Sequence, residues 1–109
     1  MIEIALADQN SSVMEASLEG ASYFLSVDWN SEAQIWVLGI QDAKSRDVLS
    51  GVVLVPNTPL LDQFRHLKVP AGEFLVHVQD ENLQLGRESF LTRQAIFYYL
   101  SRQEYDALR

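Results

Sequence analysis

The stretch "ASYFLSVDWNSEAQIWVLGIQD", residues Ala21 to Asp42, decides the fold. Its first half alternates: Tyr23, Leu25, Val27 and Trp29 fall in one phase, with Ser22, Phe24, Ser26 and Asp28 in the other. Successive side chains of a strand point to opposite faces, so apart from Phe24 this is the pattern of a half-buried β-strand. In "QIWVLGIQ" the residues Trp36, Leu38 and Ile40 share one face and Ile35, Val37 and Gly39 the other. That strand is apolar on both sides, which predicts cover on both faces. The break "NSEA", Asn30 to Ala33, has hairpin length, so the two strands are expected to pair antiparallel around an exposed tip.

Working outward, "IEIAL", "SVMEASL", "DVLSGVVLV", "GEFLVHVQ" and "QAIFYYL" read as further short strands, with Gly51 marking a bulge or close approach. Seven strands separated by turns predict an all-β fold, a small antiparallel sandwich or barrel forming one domain over residues 1–109. "NTPLLDQFRHLKVPAG" departs from period two. Thr58 is placed as an N-cap, Pro59 at the first helical position, and Leu60, Leu61, Phe64 and Leu67 at helical spacing. A helix of two to three turns, ending by Lys68 ahead of Val69-Pro70, is therefore expected to plug one end of the β structure. The tail "LSRQEYDALR" carries a capping box, Ser101 with Glu104, and a possible staple between Leu100 and Tyr105, which predicts a short final helix. "DENLQLGRESFLTR", Asp80 to Arg93, has no periodicity and reads as an exposed loop.

Bulk composition narrows the function. The 109 residues, 48% of them hydrophobic, suffice for a core without disulfide or metal, and there is no cysteine. Thiolate chemistry and ordinary structural zinc are thereby removed. No basic leader opens "MIEIALADQN" and no apolar run reaches bilayer length, so a soluble product is expected. The net charge of −7 is concentrated early: residues 1–43 hold seven acids and no Lys or Arg. Phosphate backbones and anionic membranes are bound through cations, so neither is an expected partner.

Reaction chemistry finds little support. His66 and His77 have no partner at metal-ligand spacing, no G-x-S-x-G elbow surrounds a serine, and "DENLQ" lacks the ligand pattern of a calcium loop. No catalytic, metal or cofactor residue is assigned. Trp29 and Trp36 pose the sharpest alternative, a carbohydrate-stacking platform against a place in the core. Both lie in phase with apolar neighbours, which favours the core. The expected core is Tyr23, Leu25, Val27, Trp29, Trp36, Leu38, Ile40, Leu60, Phe64, Phe74, Val76, Phe97 and Tyr99. In "FYY" Tyr98 faces away from Phe97 and Tyr99, and an exposed ring favours a protein interface. With the tip residues Asn30 and Glu32, and with Arg87 and Phe90, Tyr98 forms the expected contact surface.

The order of these segments resembles the small baseplate plug proteins of contractile-tailed phages and prophages. The residues that carry the resemblance are "MIEIAL", "LEGASYFLSVDWN", "IWVLGIQDA", "LVPNTPLLDQFRHLKVPAGEFLV" and "AIFYYL". Gly20, Tyr23, Trp29, Asn30, Trp36, Asp42, Leu60, Leu61, Gly72 and Tyr99 fit the family's places; "RESFLT" in the stretch Asp80 to Arg93 departs from them. The resemblance implies a non-enzymatic virion component of the tail baseplate, made in the host cytoplasm and placed near the centre. Its implied partners are hub, tube or spike subunits, with a homo-oligomer possible in the particle and no cofactor. An acidic face turned to the channel would then repel DNA, an expectation that rests on Glu15, Glu19 and Glu32.

Overall fold

The computed structural model describes residues 2–6 and 8–108. Seven strands are present: β1 (Ile2–Glu3), β2 (Ser11–Leu18), β3 (Ala21–Asn30), β4 (Ile35–Asp42), β5 (Asp47–Val53), β6 (Glu73–Val78) and β7 (Ala95–Leu100). One helix, α1 (Arg102–Leu108), follows them. The strands form two antiparallel sheets, ordered β2-β3-β4-β5 and β1-β7-β6. The expected all-β sandwich is what forms, and no barrel closes.

Turn chemistry explains the four-stranded meander. Leu18 pairs with Ala21 across Glu19-Gly20, whose φ angles of 55° and 79° are those of a two-residue type I′ turn matched to strand twist. The β3–β4 pair runs in unbroken register from Tyr23↔Asp42 to Asn30↔Ile35, with Trp29 directly opposite Trp36. Its tip lies one residue later than the sequence suggests, over residues 31–34. Asn30 ends β3 instead of opening the loop, and its Oδ1 accepts the N–H groups of Glu32 and Ala33, each at 3.1 Å. Between β4 and β5, Asp42 accepts the N–H groups of Arg46 and Lys44 at 3.0 and 2.9 Å. The Arg46 bond is the main reason its carboxyl is held below the ordinary carboxylate pKa.

The core lies between the sheets. Leu25, Val27, Leu38 and Ile40 from one face meet Phe74, Val76, Phe97 and Tyr99 from the other. Phe74 stacks on Phe97 at 5.5 Å and meets Tyr99 edge-on at 5.0 Å. Cover on the second face of β4 is less complete than its apolar pattern suggests: Ile35, Val37 and Gly39 are half-buried. In-sheet neighbours supply part of the cover, for Val37 sits between Asp28 and Val53.

Three expectations are corrected. The helix at 58–68 is absent; only a 3₁₀ turn, Asp62–Phe64, forms. Phe64 N–H and Leu67 N–H each bond three residues back, to Leu61 O and Phe64 O at 2.9 Å, in place of an α-helical ladder. Leu60 N–H bonds to Phe74 O and Leu61 N–H to the Glu73 carboxylate, tying the segment along β6. Thr58 Oγ1 bonds to Pro56 O instead of capping a helix. The segment still delivers Leu60 and Leu61 to the core. Second, β1 has two residues, although Ile4 N–H continues the ladder to Phe97 O at 2.7 Å. Third, residues 80–93 are a chain of turns with Leu85 and Ser89 buried, not an exposed loop.

The C-terminal capping box forms as the sequence predicts. Ser101 N–H donates to Glu104 at 2.9 Å, and Glu104 N–H donates to Ser101 Oγ at 3.2 Å. Arg109, the last residue of that tail, lies outside the described residues.

Candidate functional site

The β3–β4 hairpin reaches the end of the sandwich where the turns of residues 80–93 also lie, and Trp36 joins the two. Its indole N–H donates to Gly86 O at 3.1 Å, fifty residues along the chain. Trp29 packs on it at 5.3 Å and Phe90 edge-on at 5.9 Å. The Arg87 guanidinium lies 5.6 Å from the ring centroid, within cation–π range. Arg87 is held there by Asn10 at 2.7 Å and Asp8 at 3.0 Å, while its Nη1 is buried without a hydrogen-bond partner among the described residues.

At 2% exposure Trp36 has no open face for a sugar. Trp29 and Tyr23 are half-buried beside the core, as is Phe64. The structure thus brings Arg87 and Phe90 together around Trp36, where both are engaged within the chain. Glu32 stands exposed at the tip and Asn30 is occupied in shaping it. Tyr98 is elsewhere, half-buried on the outer face of the three-stranded sheet opposite Leu75 and Glu3. With His77, Leu100 and Leu108 it lines a groove of about 420 Å³.

The other end of the sandwich is closed by polar contacts that local sequence reading did not single out. Tyr99 accepts the Gly72 N–H at 2.8 Å and donates to Glu19 at 3.3 Å. Glu19 also accepts the Arg102 N–H at 2.6 Å. Burial pushes the Tyr99 hydroxyl well above its ordinary pKa, so it stays protonated and able to donate. Nearby, the fully buried Glu73 carboxylate accepts N–H groups from Leu61 and Phe74 and faces Arg65 at 3.3 Å. Arg65 also donates to the carbonyls of Pro70, Ala71 and Gly72. The one visible signal was a carboxylate opening an apolar strand, in "GEFLVHV".

Gly72 is needed here for space. A Cβ would collide with Leu100 O and stand 2.6 Å from the Tyr99 hydroxyl. Gly72→Ala should therefore destabilise by roughly 1–3 kcal/mol, the usual scale of overpacking. A urea midpoint unchanged from the parent would show that the strand ends shift freely.

Glu15, Glu19 and Glu32 are spread along the length of the sandwich and not clustered. Glu19 is in the turn beside Tyr99, Glu32 is at the far tip of the hairpin, and Glu15 lies midway along β2. Among the described residues no group of three or more His, Cys, Asp or Glu is placed to hold a metal ion, and both histidines are exposed. No helix among them is long and apolar enough to cross a membrane.

A family model described as "Cyanophage baseplate Pam3 plug gp18" matches residues 1–102, a span that includes all seven strands. The chain belongs to this phage baseplate plug family. Membership supports a structural role in the baseplate, contact with other baseplate proteins and a place in the virion tail. A search of curated proteins found no match. The family agrees with the resemblance drawn from the hairpin, the Leu60-Leu61 segment and the Tyr99 strand, and it extends over residues 80–93, where the resemblance departed.

Proposed function

We propose that the protein is a non-enzymatic plug near the centre of the baseplate, acting through assembly contacts with hub, tube or spike subunits. The observation that carries this reading is the family match across both sheets. The polar chemistry of the chain supports it. Glu19, Glu73, Arg65, Arg87 and Tyr99 are spent on holding turns and strand ends, a design suited to a rigid packing piece. The net charge of −7 and the cation-free first 43 residues argue against direct nucleic-acid binding. Copies of the chain assemble under the symmetry of their neighbours.

Co-expression with the proteins encoded beside its gene tests this. Co-purification with hub or tube subunits is the expected result. Failure with every neighbour, where those are tail proteins, would overturn it.

A carbohydrate-binding module is the rival reading, and Trp36 argues against it. Tryptophan emission should be blue-shifted and should not respond to added mono- or oligosaccharides. A red-shifted spectrum that responds to sugar would favour the rival through Trp29.

A further inference from the structure

The sandwich has four outer strand edges, and three of them are blunted. On β6 the open side is taken by residues 56–60: Pro56 bridges Val76, Asn57 N–H donates to Val76 O, and Leu60 N–H to Phe74 O. β5 carries register shifts and a positive-φ Gly51, irregularities that turn an edge away from pairing. β1 has two residues. β2 is different. It is eight residues long, pairs with β3 without one irregularity, and carries a single charge, Glu15.

The direction of its backbone groups follows from the ladder. Trp29 N–H donates to Asn10 O, so Asn10 faces β3; alternation then turns Ser12, Met14, Ala16 and Leu18 toward β3 as well. The type I′ turn closed by Leu18 and Ala21 requires the same phase. The N–H and C=O groups of Ser11, Val13, Glu15 and Ser17 therefore point outward, and no described residue takes them up. Val13, at 71%, is the most exposed of the large hydrophobic side chains. Beside the edge, between β2 and β1, runs a groove of about 320 Å³ lined by Met14, Ala16, Leu18, Leu25, Ile2 and Ile4, with Glu3 and Glu15 also on its wall.

We propose that β2 is a docking edge for an extended segment of a partner protein, which adds a fifth strand to the four-stranded sheet. Main-chain bonds to residues 11, 13, 15 and 17 would hold it. The period of two sets its composition: small apolar side chains enter the groove, and Lys or Arg alternate with them on the solvent face beside Glu15. Charge selects such a partner over a second copy of this chain. Among the described residues Glu15 forms no ion pair, whereas Glu3 across the groove is already paired with Arg93 at 3.0 Å. The unpaired Glu15 favours a cationic side chain beside it, and pairing two copies would join two bodies of net charge −7. The inference rests on the assembly reading for the existence of a partner, and its test separates the two.

The full chain, co-expressed with its gene neighbours, is compared with Val13→Pro, Glu15→Lys and a variant carrying a photo-crosslinking amino acid at position 13. Proline at 13 removes an outward N–H and leaves the β2–β3 bonds intact, so the fold should hold by circular dichroism. Both substitutions should weaken the complex at least tenfold, and the crosslink should map to one extended, Lys- or Arg-bearing segment of a neighbour. A complex that forms equally well with Val13→Pro overturns the edge and leaves the assembly reading standing. A crosslink to a second copy of this chain, or to an acidic segment, overturns the choice of occupant. No complex with any neighbour overturns both.

Discussion

Trp36→Ala is expected to cost about 3–5 kcal/mol, the scale found when a buried large aromatic is truncated. A domain's whole stability is about 5–15 kcal/mol, so the urea midpoint should fall by roughly a fifth or more. The reason is position. Trp36 is 2% exposed and serves as the shared wall of three contacts: Trp29 from the paired strand, Phe90 from the 80–93 turns, and the Arg87 guanidinium. Its loss also orphans the Gly86 carbonyl and leaves Arg87 over a void. Residues 80–93 should then become the first site of limited proteolysis, ahead of the strands. Trp36→Phe keeps most of the packing and loses the N–H, for which about 1 kcal/mol is expected. Should the alanine variant lose under about 1 kcal/mol, the indole is not the link between hairpin and turns.

Glu73→Ala should be comparably severe, about 3–5 kcal/mol, because it strips a buried ionic group from partners that stay behind. Leu61 N–H and Phe74 N–H would lose their acceptor, and Arg65 would lose its carboxylate partner while keeping the carbonyls of residues 70–72. Glu73→Gln keeps an acceptor of the same shape and should be much milder. pH separates the two effects. Burial raises the Glu73 pKa, so the folded chain holds that proton more tightly than the unfolded one. The stability this contributes is fully present below the unfolded carboxyl value of about 4.3 and is lost as pH rises through the folded pKa. Relative to the glutamine variant, the parent should therefore gain ground as pH falls from neutrality toward 4. A difference flat in pH would mean that hydrogen bonds to the ionised carboxylate offset its burial, and a reversed slope that they outweigh it.

Both side chains show what local pattern reveals and what it hides. The hairpin was legible because each strand alternates on its own, and period two needs no knowledge of neighbours. Ser101 capping α1 was legible for the same reason, as its bonds with Glu104 span three residues, whereas Asn30 read as part of the exposed tip and not as the residue that shapes it. Residues 58–68 misled because helical spacing of Leu60, Leu61, Phe64 and Leu67 is real, while the partners that tie Leu60 and Leu61 along β6, Phe74 O and the Glu73 carboxylate, stand twelve or more residues away. Leu85 and Phe90 looked exposed for want of periodicity; Leu85 joins the core, and Phe90 is covered in part by Trp36, far away in sequence. An edge strand cannot be told from a central one by its own residues, so nothing in "SVMEASL" marks Val13 and Glu15 as lying on an open edge.

The strand order has a bearing on synthesis. The four-stranded sheet is a simple meander of residues 11–53, each strand pairing with the next, so its pairings need only short loops to close. The other sheet gathers Ile2–Glu3, Glu73–Val78 and Ala95–Leu100, and joins residue 2 to residue 99. A ribosome that has released about half of the chain has therefore delivered a complete sheet with nothing to lay against it. Leu25, Val27, Leu38 and Ile40 lack their facing partners Phe74, Val76, Phe97 and Tyr99 until β6 and β7 emerge, an interval in which an apolar sheet face is open to wrong pairings.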